Sequence, residues 1–234
     1  MLRVLVVGSC GKKKLYNDND QPTCHTIDGK HDISFWRRKL PESCAPARDM
    51  YIGPQQTELV KAVDLLRTIA GVEVHFIIVS AGFGILNEQD LVPPYDCSFS
   101  TMPMAEVRKR SQEQQLQASI LNQTTKGFDL IYFALGKRYL AALGKDTLSE
   151  LQTPTIVFHG KESDNLVRFP CSSQTVKAFS KQGHKIHGVV GFKGDLLRIL
   201  VTNILHKPAP SDEIAKWKDP YHLKRMVNVM GGLT

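Results

Sequence analysis

Apolar residues along this chain gather in short runs, and the runs alternate with stretches whose apolar positions follow helical spacing. Leu2 to Val7 (LRVLVV) is β-branched and apolar and predicts a buried strand, broken at once by Gly8-Ser9-Cys10-Gly11. Residues 16–46 are polar and predict a long excursion, with a short helix around Ile33 to Arg38. Loops of that length inside a compact domain are often functional. Leu59, Val63, Leu66 and Ala70 keep helical spacing, and Gly71 ends that helix. Val74 to Val79 (VHFIIV) predicts a second strand, running into Ser80-Ala81-Gly82-Phe83-Gly84. Met104 to Thr125 reads as one long helix, Phe128 to Leu135 as a third strand, Tyr139 to Leu151 as a short helix and Thr155 to Phe158 as a fourth strand. Ser172 to Ser180 predicts another short helix. Gly188 to Val190 reads as a brief apolar segment, and Gly191 to Asp195 leads into an amphipathic helix with Asp195 as its N-cap. No repeat or domain boundary is visible. The expectation is a single α/β domain over 1–234, three-layered, with a mainly parallel sheet, helices on both faces and a basic tail from about 207.

Composition narrows the classes. At 42% hydrophobic and 23% charged residues the chain is ordinary for a globular domain. No apolar run reaches the roughly 18 residues of a membrane span, and the N-terminus lacks signal-peptide regions. A cytoplasmic protein with reduced thiols is therefore expected. The five cysteines, Cys10, Cys24, Cys44, Cys97 and Cys171, are irregularly spaced. Cys24, His25, His31 and Cys44 share a polar segment, but no C-x-x-C or H-x-x-x-H pair is present, so no metal site is predicted. The net charge of +7 favours a polyanionic partner.

Three turns after strands carry candidate chemistry. Ser9 to Lys14 combines small residues, through which backbone N–H groups can approach an anion, with Lys12, Lys13 and Lys14 to neutralise it. The spacing is not that of a nucleotide-hydrolysing phosphate loop. The second turn, Ser80 to Gly84, precedes Pro93-Pro94-Tyr95-Asp96, where an aromatic ring stands beside a carboxylate. That pair suits nucleoside chemistry: the ring stacks on a base, and the carboxylate stabilises the cationic sugar formed when a glycosidic bond breaks. A core tyrosine followed by a turn-capping aspartate reads equally well. The third turn is Gly191-Phe192-Lys193-Gly194-Asp195, either an anion-binding loop or a plain capped helix start. Lys137-Arg138-Tyr139 and Arg108-Lys109-Arg110 add basic clusters. A serine triad has no support, since no G-x-S-x-G elbow occurs, and His159 reads as a rim or polar core residue.

Ser9 to Lys14, Ala45-Pro46-Ala47-Arg48-Asp49-Met50-Tyr51, Ser80 to Leu86 and Pro94-Tyr95-Asp96, taken in that order, resemble the YaaA-like families of bacterial domains. The resemblance covers about the first half of the chain. The long insertion between the first two pieces departs from the family pattern, as does Gly82-Phe83. The resemblance implies an α/β fold with a positively charged cleft and a link to DNA. Some members look like base-excising enzymes, including phage-defence glycosylases that remove modified cytosines. On this reading the chain is a monofunctional DNA glycosylase that needs no cofactor. Asp96, or else Asp49, serves the oxocarbenium ion. Ser9, Cys10, Lys13, Tyr51, Ser80, Gly84 and Tyr95 contact substrate, and Lys12, Lys14, Arg48, Lys137, Arg138 and Lys193 contact phosphates. A hydrolase or transferase of small nucleosides and a non-enzymatic DNA-binding defence protein stay open beside it.

Overall fold

A computed structural model describes residues 1–233. Its eight strands are β1 (Leu2–Ser9), β2 (Ala45–Pro46), β3 (Val72–Ser80), β4 (Gly84–Asn87), β5 (Leu91–Val92), β6 (Leu130–Phe133), β7 (Thr155–Val157) and β8 (Leu166–Arg168). Six of them form the central sheet, ordered β4-β3-β1-β6-β7-β8, in which only the β3–β4 pair is antiparallel. The helices are α1 (Ile33–Lys39), α2 (Ala47–Met50), α3 (Pro54–Arg67), α4 (Met104–Glu113), α5 (Leu116–Thr124), α6 (Lys137–Ala142), α7 (Thr147–Glu150), α8 (Ser173–Lys181), α9 (Gly188–Leu205), α10 (Pro210–Ala215) and α11 (Pro220–Gly231). Sheet and helices make the expected three-layer α/β fold. β1, apolar and buried except at Arg3 and Ser9, is the central strand, paired in register with β3 on one side and β6 on the other.

This order contains a reversal. The chain leaves β1 through α3 to β3 on one side and later returns to β6 on the other. The strand order therefore reverses between β1 and β6, and in open α/β sheets ligands bind outside the carboxyl ends at such a reversal.

Several elements differ from expectation. The long helix predicted from Met104 breaks at Gln114–Gln115, where Gln115 adopts a left-handed φ of 50°. Gln114 is pinned there, its amide donating to the carbonyls of Ala81 (2.9 Å) and Gly82 (2.8 Å). α9 begins at Gly188, so Asp195 is not its N-cap but a fully buried residue of the second turn. The helix reaches further back because α9 packs along α3, and Gly194 allows that approach: a Cβ there would overlap the Gln55 carbonyl. The basic tail is helical, with Trp217, Leu223 and Val227 buried beneath it.

The expectation of reduced thiols fails at Cys24 and Cys97, which form a disulfide; Cys10, Cys44 and Cys171 are free. Backbone pairing brings the two together, since Asp96 N–H donates to Pro22 O (2.8 Å) and Cys24 N–H to Asp96 O (3.2 Å). The polar excursion is thereby fastened beside Asp96. No helix is long and apolar enough to cross a membrane among the described residues.

Candidate active site

At the reversal point Gln55, in the first turn of α3, bridges the ends of the two strands. Its Nε2 donates to Ser9 Oγ (3.4 Å) and to Ala134 O just beyond β6 (2.9 Å). Lys12 and Lys13 stand exposed immediately after β1.

On the β1–β3 side lies a buried hydroxyl network. Tyr95 OH is 2.8 Å from Tyr51 OH and 2.7 Å from Ser80 Oγ, and Ser80 Oγ accepts from Gly82 N–H (3.1 Å) and Phe83 N–H (2.9 Å). Tyr139 OH donates to Cys10 O (2.7 Å) and lies 3.0 Å from Cys10 Sγ. Tyr51 and Tyr95 are each 1% exposed, so neither ring is free to stack on a base as expected; both build the floor instead. Gly82 belongs to that floor, since a Cβ on it would stand 2.9 Å from the Tyr95 ring. Gly84, at φ +78°, turns the β3–β4 hairpin.

Lys14 crosses this floor. Its Nζ donates to Gly11 O (2.8 Å) and sits 4.2 Å from the centre of the Tyr95 ring, a cation–π contact. Burial pulls its pKa below the ordinary lysine value, while Cys10 and Asp96 act in the opposite direction. It is therefore an internal cation rather than the exposed phosphate contact expected from Lys12-Lys13-Lys14. Asp96 is exposed, and among the described residues its carboxylate has no hydrogen bond or ion pair.

The other two candidates in Ala45–Tyr51, Arg48 and Asp49, lie elsewhere. Arg48 binds Asp64 (2.7 Å) and Glu88 (3.0 Å), and Asp49 stands 3.9 Å from Arg48. Glu88 also pairs with Arg67, which donates to Val74 O near the start of β3, at the end of the sheet opposite Ser80. The structure thus gathers Ser9, Cys10, Lys14, Ser80, Tyr51, Tyr95 and Asp96 on the carboxyl edge and leaves Arg48 and Asp49 away from it.

On the β6–β8 side, Lys137 and Arg138 are exposed at the start of α6, where Arg138 also donates to Ser100 O. Lys193 is buried at the start of α9, and its carbonyl accepts from Tyr132 OH of β6 (2.7 Å). Sequence reasoning missed two groups here, Gln55 and Arg168, and read His159 only as a rim or polar core residue. Gln55 follows Gly53-Pro54, a helix-start signal that places it at the edge. Arg168 ends a strand too short and mixed to be placed by pattern, whereas His159 follows the predicted fourth strand. Burial, followed by Lys193, Lys137 and Arg168, holds the His159 pKa below its ordinary value.

Among the described residues Glu58, His187 and Asp195 lie close enough together to be considered as cation ligands. Arg198 and Lys61 already bind Glu58, and Asp195 accepts from His187 Nδ1 (2.7 Å) and N–H (2.7 Å), so the group is internally neutralised. The cysteine–histidine segment does not converge either: Cys24 is in the disulfide, Cys44 Sγ faces Leu40 O (3.2 Å) and His31 bonds Asp28 (3.0 Å).

No protein-family model matches this sequence, and no curated protein matches it significantly.

Proposed function

We propose that this protein hydrolyses the N-glycosidic bond of a modified base in DNA, leaving an abasic site. The observation that carries the reading is the polarity of one sheet edge: a free carboxylate, Asp96, stands at the β1–β3 end, and basic groups from the turn after β1, α6 and α9 follow along the same edge. Phosphates of a bound strand would lie along Lys12, Lys13, Lys137 and Arg138. The target nucleotide has to leave the stack for its bond to be reached. Asp96 then stabilises the oxocarbenium-like sugar as the base departs and directs water to it. The resemblance of the first half of the chain to the YaaA-like families, some members of which look like base-excising enzymes, supports the modified base as substrate.

The test is release of base from DNA carrying ordinary, hydroxymethylated or glucosylated cytosine, read by mass spectrometry and by alkali-labile sites. Asp96→Asn is expected to lower release by about 100-fold or more. Asp49→Asn should leave it within roughly twofold, because surface substitutions away from a site usually change little. Borohydride should trap no covalent adduct, Lys14 being held against Gly11 and Tyr95. Full release by Asp96→Asn removes the catalytic assignment. Release from free nucleosides that excess DNA does not inhibit favours a small-molecule substrate instead.

A further inference from the structure

Lys193 presents an unanswered charge. Its residue is 5% exposed, and its ammonium makes a single long contact, 3.3 Å to Val190 O. No carboxylate pairs with it among the described residues. Asp195, two positions on, is turned to His187, and Glu162 binds Lys224 (2.6 Å) and the Arg168 N–H (2.9 Å). Buried ammonium groups are strongly penalised unless an opposite charge meets them.

The surroundings add further donors, and the one carboxylate bound there among the described residues, Glu162, is shared with Lys224. Val157 pairs with Arg168, so His159 and Arg168 emerge from neighbouring strand ends, and Arg168 Nη1 reaches Gly160 O (3.4 Å). Lys137 opens α6 just beyond β6, and the Tyr132–Lys193 bond holds the start of α9 over β6. The first N–H groups of α9, an 18-residue helix, lack intrahelical acceptors and lie where the Lys193 ammonium folds back. Lys193, Lys137 and Arg168 all act electrostatically on His159, and the carboxylate beside them, Glu162, is already taken up by Lys224 and the Arg168 N–H.

We propose that Lys193, His159, Lys137 and Arg168 form a binding site for a phosphate monoester, the terminal phosphate of a nucleotide or of a DNA end. A doubly charged terminal phosphate matches this excess of donors better than the single charge of a backbone diester. The nucleotide nature of the ligand rests on the function proposed above; the anion site itself does not.

Inorganic phosphate and a deoxynucleoside 5′-monophosphate are the first probes, read by thermal melting and by phosphorus NMR. Both should bind and raise the melting temperature, whereas the matching nucleoside should not. Lys193→Met removes the buried charge while keeping the chain length. It is expected to melt higher than the parent protein without ligand and to bind phosphate at least about tenfold more weakly. A merely structural lysine would lower the melting temperature on replacement. His159→Gln with Arg168→Gln, on the rim, is the second variant and should show the same loss of affinity. Oligonucleotides with a 5′-phosphate or a 5′-hydroxyl separate the sources: preference for the phosphorylated strand assigns a DNA end, and binding of the mononucleotide alone assigns a free nucleotide. Equal binding of phosphorylated and unphosphorylated ligands, or unchanged phosphate affinity in both variants, overturns the site. Phosphate binding without base release removes only the glycosylase reading, and base release without phosphate binding removes only this one.

Discussion

Tyr51, Tyr95, Tyr132 and Tyr139 are buried, and each phenol is held protonated by its surroundings. Burial is the largest cause in every case and pushes all four pKa values well above the ordinary tyrosine range. Nearby Cys10 adds to the effect at Tyr51, Tyr95 and Tyr139. The unfolded chain ionises these phenols near pH ~10. Because the folded pKa values are raised, the stability linked to them is fully present below about pH 10 and is lost as the pH climbs toward those values. Ultraviolet titration should therefore show four of the six tyrosines ionising only together with alkaline unfolding. Reversible ionisation of five or six in the folded protein would contradict the buried network. At this scale the sequence was half legible. The ring beside a carboxylate at Tyr95-Asp96 reads equally as a stacking platform or a core tyrosine, and residue order cannot reveal that the Tyr95 hydroxyl already serves Tyr51 and Ser80. The same holds for Arg48, whose partners Asp64 and Glu88 arrive from distant segments.

Elements were legible where burial was uniform. β1, β3, β6 and β7 are apolar runs buried along most of their length, and each was visible as such. β4 and β8 are short and partly exposed, so their composition carries no period to detect. α9 shows the reverse error: its three glycines, Gly188, Gly191 and Gly194, imitate a loop, yet two of them are small because neighbours stand close. A Cβ on Gly191 would lie 2.7 Å from His187 Cβ, and one on Gly194 would strike the backbone of Gln55. Gly194→Ala should therefore destabilise the fold, although alanine favours helix. Forced separation of packed elements typically costs about 1–3 kcal/mol, more than the ~1 kcal/mol gained in helix propensity. Chemical denaturation would measure this, and a more stable Gly194→Ala protein would mean that α3 and α9 do not meet as described. Since Gln55 also spans Ser9 and Ala134, the same substitution should loosen the reversal point.

For the whole molecule, the question is how the polar excursion is kept on the domain. Its first part is fastened at a single locality: Pro22 and Cys24 pair with the backbone of Asp96, Arg110 Nη1 donates to Cys24 O (2.7 Å), and the disulfide joins Cys24 to Cys97. The two cysteines are 73 positions apart, and closing so long a loop in the unfolded chain corresponds to about 4 kcal/mol in the chain-entropy description. The central sheet needs none of this, because its strands pair without the excursion. Reduction, or Cys24→Ser, should thus lower the melting temperature without unfolding the sheet. Limited proteolysis should then cut first within about residues 16–31. Because Asp96 directly precedes Cys97 and is backbone-paired with the excursion, the reduced protein should also lose base release in parallel with that cleavage sensitivity. An unchanged melting temperature and cleavage pattern after reduction would show that backbone pairing and Arg110 suffice to hold the excursion, leaving the disulfide without a mechanical role beside Asp96.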